Sequence, residues 1–409
     1  MTRSAMGART KGMDMRNDPL GYLKEQLDEL EGAGSAIHPR TLQSEQAPRA
    51  TFDGREVINL ASNNYLGLAA HPRLREAAVE AAKEFGAGSG AVRTIAGTMS
   101  LHVELERRFA AFKGAEAAIM FQSGFTANSG TVAAILTKED VIVSDQLNHA
   151  SIIDGARLSR AEIKVFRHKD AAAAGRLLEE TKAPGRRQLL ITDGVFSMDG
   201  DIAPLPDLVE VAEQHGAIMM IDDAHASGVL GQNGKGTVSH FGLDPARVDI
   251  QVGTLSKAIG VIGGFIAGKR HLVDWLVNRG RPFLFSTSAP PPAAAACIAA
   301  LDILESEPER VKRLWERTRY FKSGLESLGF DTGASETPIT PVIAGEDRAA
   351  QELSRLLWEE GVFTPPIVFP TVAQGQARVR TIVTSEHTED DLREALDAFE
   401  RVGRKLGLI

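Results

Sequence analysis

The stretch Val252–Gly268, VGTLSKAIGVIGGFIAG, decides how this chain is read. An apolar run ends in Gly253-Thr254-Leu255-Ser256, presents Lys257, and passes through glycines into a second apolar run. No carboxylate lies within five residues of that lysine. Desolvation without a partner lowers an ammonium pKa, and a lysine that is neutral near pH 7 can form a Schiff base. Taken alone, Lys257 reads equally well as a surface residue on a strand-to-helix loop. The surroundings it finds in the rest of the chain decide between the two readings.

With 409 residues the chain exceeds what one hydrophobic core usually serves, so two domains are expected. Hydrophobic residues make up 43% and charged residues 24%, an ordinary globular balance. The net charge of −8, with no Lys/Arg block, argues against a nucleic-acid partner. The single cysteine, Cys297, excludes an internal disulfide, and its alanine-rich setting (PPPAAAACIAALDIL) reads as helix packing. No run of eighteen apolar residues is present, so no membrane span is expected. Residues 1–17 are basic but lack the apolar core of a secretory signal. They are expected to be a disordered extension, and the location to be cytoplasmic. No metal site is expected.

Asp18-Pro19 opens a helix with Leu20, Leu23, Leu27 and Leu30 on one face, closed by Gly32. That helix and the arm through residue 50 are expected to pack on a smaller domain. Asp53-Gly54 marks a hairpin whose second strand is Val57–Leu60. From Ala117 the pattern alternates. Apolar runs at Ala117–Phe121, Val141–Ser144, Ile163–Phe166, Gln188–Thr192, Ala217–Ile221 and Ile250–Thr254 are separated by helical segments or loops. Continuous β-rich runs without polar alternation suggest strands buried on both faces, hence an α/β domain with a largely parallel sheet. This large domain is expected over 51–290, and a smaller α+β domain over 291–409 after the proline cluster.

In such a sheet, ligands bind beyond the carboxyl ends of the strands. Five runs end in reactive residue types: Gln122-Ser123-Gly124-Phe125, Asp145 through His149, Asp193 through Gly200, Asp222-Asp223-Ala224-His225, and Thr254 through Lys257. Each suits a phosphorylated aromatic aldehyde. Ser123-Gly124-Phe125 at a helix start offers N–H groups and a positive dipole end to a phosphate. A buried Asp222 needs a cationic partner, and a protonated pyridine nitrogen would supply one. His149 could stack on such a ring, while His225 and Ser197 could reach its phenolic oxygen. Singly, these residues read as caps, core histidines or turn hydroxyls. Five plain readings at neighbouring strand ends are harder to sustain together.

The series ASNNYLGL, GAGSGAVRTIAGT, QSGFTAN, LNHASIIDG, TDGVFSMDGDIAPL, IDDAHASGVLG, GTLSKAIG, RPFLFSTS and GQARVRTIVTSEHT resembles the α-oxoamine synthases, in family order from about Asn59 to the C-terminus. These are fold-type I enzymes dependent on pyridoxal 5'-phosphate (PLP). The resemblance implies a mostly parallel seven-stranded sheet flanked by helices, and a smaller α+β C-terminal domain. It implies that Lys257 is the Schiff-base lysine, that Asp222 pairs with the pyridine nitrogen, and that His149 stacks on the ring. Lys257, His149 and Asp222 are thereby the catalytic set. His225 and Ser197 would contact the cofactor, Gly124, Phe125 and Thr254 would hold its phosphate, and Ser286 and Thr287 would reach the phosphate of a partner subunit in a homodimer. Asn63 and Arg380 would bind the amino-acid carboxylate, a task suited to the two-pronged guanidinium. Within the family the segments PFLFSTS and GQARVRTIVTSEHT look most like the glycine C-acetyltransferases (2-amino-3-ketobutyrate CoA ligases). The expected reaction is therefore condensation of glycine with an acyl-CoA, acetyl-CoA preferred, to give 2-amino-3-ketobutyrate and free CoA, as in threonine degradation. The run PPIVFPT at 365–371 departs from that branch. The alternatives are 8-amino-7-oxononanoate synthesis from a pimeloyl thioester, with loss of carbon dioxide, and an aminotransferase.

Overall fold

A computed structural model describes residues 18–32 and 35–409. Residues 43–409 form one compact unit. The expected helix forms at Tyr22–Gly32, outside that unit, and none of its residues is buried. The expected disordered extension lies outside the described residues.

Thirteen strands are described: β1 Arg49–Phe52, β2 Arg55–Asn59, β3 Ala117–Phe121, β4 Val141–Asp145, β5 Glu162–Phe166, β6 Gln188–Asp193, β7 Ile218–Asp222, β8 Ile250–Thr254, β9 Gly264–Gly268, β10 Ile339–Gly345, β11 Val362–Phe363, β12 Pro366–Ile367 and β13 Ala377–Ile382. Seven of them build the central sheet in the order β3-β9-β8-β7-β6-β4-β5. β9 is the second apolar run of the Val252–Gly268 stretch and is antiparallel to both β3 and β8. The pairs from β8 across to β5 are all parallel. Strands β3, β4, β6, β8 and β9 are buried at every position, which explains their lack of polar alternation.

The loop that joins β8 to β9 is short, so Lys257 is held at one end of the sheet. Glycine makes the approach possible. A Cβ on Gly264 would lie 2.4 Å from the carbonyl of Ser123 and 2.5 Å from the N of Gly124. Strand β9 is thus pressed against the start of the helix Gly124–Ile135, and only glycine fits there.

Two expected boundaries move. The hairpin β1–β2 does not belong with the central sheet, because β2 pairs in parallel with β11, Val362 opposite Ile58. Arg49 of β1 also bonds Asp391 of the last helix through Nε at 2.7 Å. A hairpin signal is local and cannot name the sheet it joins. The helix Pro291–Ser306, placed by its prolines at the start of the smaller domain, instead packs in the core with Leu74, Leu105 and Phe109. Its alanines and Cys297 allow that close approach, and the buried thiol is pushed far up in pKa by its surroundings. A separate apolar cluster joins Ile58 and Leu60 to Phe321, Leu357, Val379 and Phe399. Among the described residues no helix is long and apolar enough to cross a membrane.

Candidate active site

The carboxyl ends of the parallel strands bring the expected residues together. Asp222 closes β7 and is 4% exposed. Its Oδ2 accepts from Asn128 Nδ2 at 2.6 Å and its Oδ1 from the Ala224 N–H at 2.8 Å. Both donors are neutral, so no cation hydrogen-bonds to this carboxylate among the described residues. Asn128 also donates to the Ser151 hydroxyl at 3.0 Å. That hydroxyl lies 2.8 Å from His149 Nδ1, and the Ser151 N–H donates to the same atom at 3.2 Å. The His149 backbone N–H in turn donates to Asp193 Oδ2 at 3.0 Å. Burial lowers the His149 pKa against the pull of Asp222, leaving a neutral ring beside the carboxylate.

Lys257 keeps part of its surface towards solvent but is otherwise enclosed. Burial pulls its ammonium down to about 8, even though Asp222 and Asp193 act to raise it. The electrostatic coupling to both carboxylates puts the amine on the same side of the sheet as Asp222. Burial, then the charge of Asp222, holds Asp193 well above the usual carboxylate range. His225 is driven well below its ordinary value by burial, then by Lys257 and Arg380.

Arg380 on β13 donates from Nη1 to the Ser197 carbonyl at 3.1 Å, while its buried Nε has no partner. The buried Oδ1 of Asn63 is unpartnered as well. Arg378, two positions along the strand, is committed elsewhere: Nη1 bonds Asp199 at 2.6 Å and the Met198 carbonyl at 3.0 Å. The side chain of Ser123 caps the helix Gly124–Ile135 at Thr126, while the first N–H groups of a helix have no acceptor inside it. Thr254 Oγ1 sits 2.9 Å from Ser256 Oγ and donates to the Gly263 carbonyl at 3.1 Å. A Cβ on Gly124 would meet Thr254 Oγ1 at 3.3 Å, so hydroxyl and helix start share one cradle. Thr287 lies against that loop in its own chain, its carbonyl accepting from Gln122 Nε2 at 3.0 Å, with Ser286 half-buried beside it.

This donor set fits PLP. A buried carboxylate without a bonded cation meets the need of a pyridinium, an amine with a lowered pKa suits an aldehyde, and a helix start with hydroxyls suits a phosphate.

A model of the aminotransferase class I and II family matches residues 55–399. The 8-amino-7-oxononanoate synthase of Symbiobacterium thermophilum is 61% identical over 388 residues, covering 95% of this chain and 99% of that one. The chain belongs to the α-oxoamine synthases. Those of Thermoanaerobacter pseudethanolicus (58% identical over 390 residues; 95% and 98% covered) and Bacillus subtilis (54% over 388; 95% and 98%) carry the same name. Among solved structures, a serine palmitoyltransferase of Sphingomonas wittichii superposes with a TM-score of 0.89 at 32% identity, over 96% of this chain and 98% of that one. The 8-amino-7-oxononanoate synthase of Francisella tularensis superposes at 0.73 with 27% identity, over 86% and 99%. As an α-oxoamine synthase of fold type I, the enzyme is PLP-dependent.

The comparisons correct one expectation. Relatives at 53–61% identity across nearly their whole length are 8-amino-7-oxononanoate synthases, which overturns the glycine C-acetyltransferase reading and the tie to threonine degradation. The segments that suggested it, PFLFSTS and GQARVRTIVTSEHT, hold the residues that the resemblance assigns to the cofactor phosphate and the amino-acid carboxylate, not to the acyl chain.

Sequence reasoning missed several residues of this α-oxoamine synthase site. Asn128 stood inside QSGFTAN and Tyr65 in ASNNYLGL without being singled out, while Asp193 was marked as a reactive strand end but given no role. His168 carried no signal, because its partners are remote in sequence. Its Nδ1 bonds Asp145 and its Nε2 bonds Asp201, each at 2.9 Å, and its ring meets Phe196 edge-on at 4.4 Å. This clamp braces the loop that carries Ser197. Burial would lower the His168 pKa, but the two carboxylates outweigh it and raise it to about 9. A folded-state pKa above the unfolded value stabilises fully below the unfolded value, about 6.5, and the gain is lost as pH rises through 9. His168→Gln is therefore expected to lower the denaturation midpoint at pH 6 and to match the parent closely by about pH 10. An equal deficit at both pH values would contradict the charged clamp.

Proposed function

We propose that the chain is an 8-amino-7-oxononanoate synthase, and the observation that carries this is the 61% identity over 95% of the chain to a protein of that name. The product's structure names the substrates. Its carbons 1–7, a carboxylate at one end and a ketone at the other, derive from a pimeloyl thioester. Carbons 8 and 9, an aminated carbon bearing a methyl, derive from alanine after its carboxyl is lost. The overall step forms the C7–C8 bond, breaks the thioester and the α-carbon–carboxyl bond, and releases one thiol and one carbon dioxide.

Bound PLP would supply the electron sink that makes the α-carbon of the amino acid a nucleophile. Asp222 would hold the proton of the ring nitrogen, and His149 would cover the ring face. Gly124, Phe125 and Thr254 would bind the phosphate, and Ser197 and His225 would face the phenolic oxygen. Arg380 and Asn63, each with an unpartnered buried polar atom, would grip the substrate carboxylate. Lys257 Nζ, with its pKa near 8, would hold the cofactor at rest and move the α-proton during turnover. The reading includes a cytoplasmic homodimer in which Ser286 and Thr287 serve the partner's phosphate.

The test pairs alanine or glycine with pimeloyl-CoA or acetyl-CoA and follows free thiol and carbon dioxide together. Alanine with pimeloyl-CoA is expected to give one of each per turnover. Acetyl-CoA with glycine should be slower in kcat/KM by about 100-fold or more, since each mismatched methylene is worth roughly 10-fold or more. Equal rates would restore the acetyltransferase reading, and keto acid without thiol release would indicate an aminotransferase.

A further inference from the structure

His225 faces the site from the turn after β7, and behind it stands Tyr65. The Tyr65 hydroxyl lies 2.8 Å from His225 Nδ1, with the two rings edge-to-face at 6.2 Å and 82°. Tyr65 is 1% exposed and His225 7%. Among the described residues this contact is the only hydrogen bond of either side-chain polar group, and His225 Nε2 has none.

We propose that Tyr65 is a positioning residue that sets the tautomer of His225, so that its proton sits on Nε2 and points into the cofactor site. Two facts enforce this. First, the imidazole is neutral: burial disfavours a positive ring, and the charges of Lys257, Arg380 and His149 act in the same direction. It therefore carries one N–H, on one nitrogen or the other. Second, the tyrosine hydroxyl keeps its hydrogen, since burial raises its pKa, and that hydrogen has no acceptor except Nδ1. Were Nδ1 protonated, the buried O–H would be left without an acceptor, and a buried donor without an acceptor is costly. Donation from Tyr65 to Nδ1 satisfies both groups and leaves Nε2–H as a donor. A donor is what an ionised phenolic oxygen of PLP needs opposite it, and a bare lone pair would repel it. Only this last step rests on the proposed function.

Histidine-selective ¹⁵N NMR of the cofactor-free wild-type protein reads the tautomer directly, with His225 assigned as the resonance pair missing from His225→Asn. The expected spectrum shows one tautomer with the proton on Nε2. A proton on Nδ1 overturns the proposal, whatever any Tyr65 variant does. In Tyr65→Phe, which keeps the ring and removes the donor, the two tautomers should coexist. After loading with PLP, the pH midpoint of the bound cofactor's colour change should then shift by about 0.5–1 unit. An unchanged tautomer and midpoint in Tyr65→Phe would also overturn it. The NMR arm uses neither cofactor nor substrate, so its failure leaves the synthase reading standing. A normal tautomer in a protein that releases no thiol would defeat the synthase reading alone.

Discussion

Lys257→Ala is expected to lower turnover by at least about 10⁴-fold, because in the proposed function one side chain both anchors the cofactor and moves the α-proton. The fold should survive. Among the described residues the Lys257 amine makes no hydrogen bond or ion pair, and it sits on a short loop whose glycines hold the backbone. Removing it takes away an amine that burial already destabilises in its charged form. The denaturation midpoint should therefore stay close to the parent or rise slightly. Two measurements check this: thiol release under saturating substrates, and borohydride treatment of the PLP-loaded protein followed by mass analysis. The parent should retain reduced cofactor covalently at residue 257 and the variant should not. Turnover in the variant above about a tenth of the parent would remove the lysine from the chemistry.

The second large effect concerns stability. Lys113 and Asp223 form an ion pair at 2.7 Å in which both side chains are 0% exposed. The lysine also donates to the Lys235 carbonyl at 2.8 Å, and Asp223 Oδ2 accepts from the Thr237 N–H at 3.1 Å. Replacing a buried pair outright can be close to neutral, but removing one partner strands the other charge, at roughly 3–5 kcal/mol. Lys113→Met should therefore lower stability by that amount in urea unfolding. Adding Asp223→Asn in the same chain should recover a large part of the loss. If the double variant is as unstable as the sum of the singles, the pair is not what holds this region. Asp223 adjoins Asp222, so a loosened turn should also weaken PLP retention.

Much of this site was legible because its chemistry lies at strand ends. A run such as Gln188–Thr192 announces a doubly buried strand, and the residue just beyond it is then at the ligand edge of the sheet. Asp222 and His149 stood out by that logic, Lys257 by its apolar, carboxylate-free setting as well, and the family resemblance then gave them their roles. What stayed hidden depends on pairings remote in sequence. Nothing local says that Asp53-Gly54 feeds a strand lying beside Val362, or that His168 will stand between Asp145 and Asp201. The substrate branch was hidden for a different reason. GTLSKAIG and IDDAH are the motifs that the resemblance ties to the cofactor, and neither carries a residue assigned to the acyl chain. The departure at 365–371 was the visible hint, and it spans β12 and the start of the segment leading to β13 rather than any of the quoted motifs.

The pairing of β2 with β11 also bears on how the protein is made. The strand at 55–59 leaves the ribosome roughly 300 residues before its parallel neighbour at 362–363. At about 5–20 residues per second, that gap lasts on the order of 15–60 s. Through most of that interval Ile58 and Leu60 have no cluster to enter, since Phe321 and Leu357 come near its end and Val379 and Phe399 after it. The nascent chain thus carries an open apolar edge for most of its synthesis, and that edge is where a trigger-factor-like holdase would be expected to act.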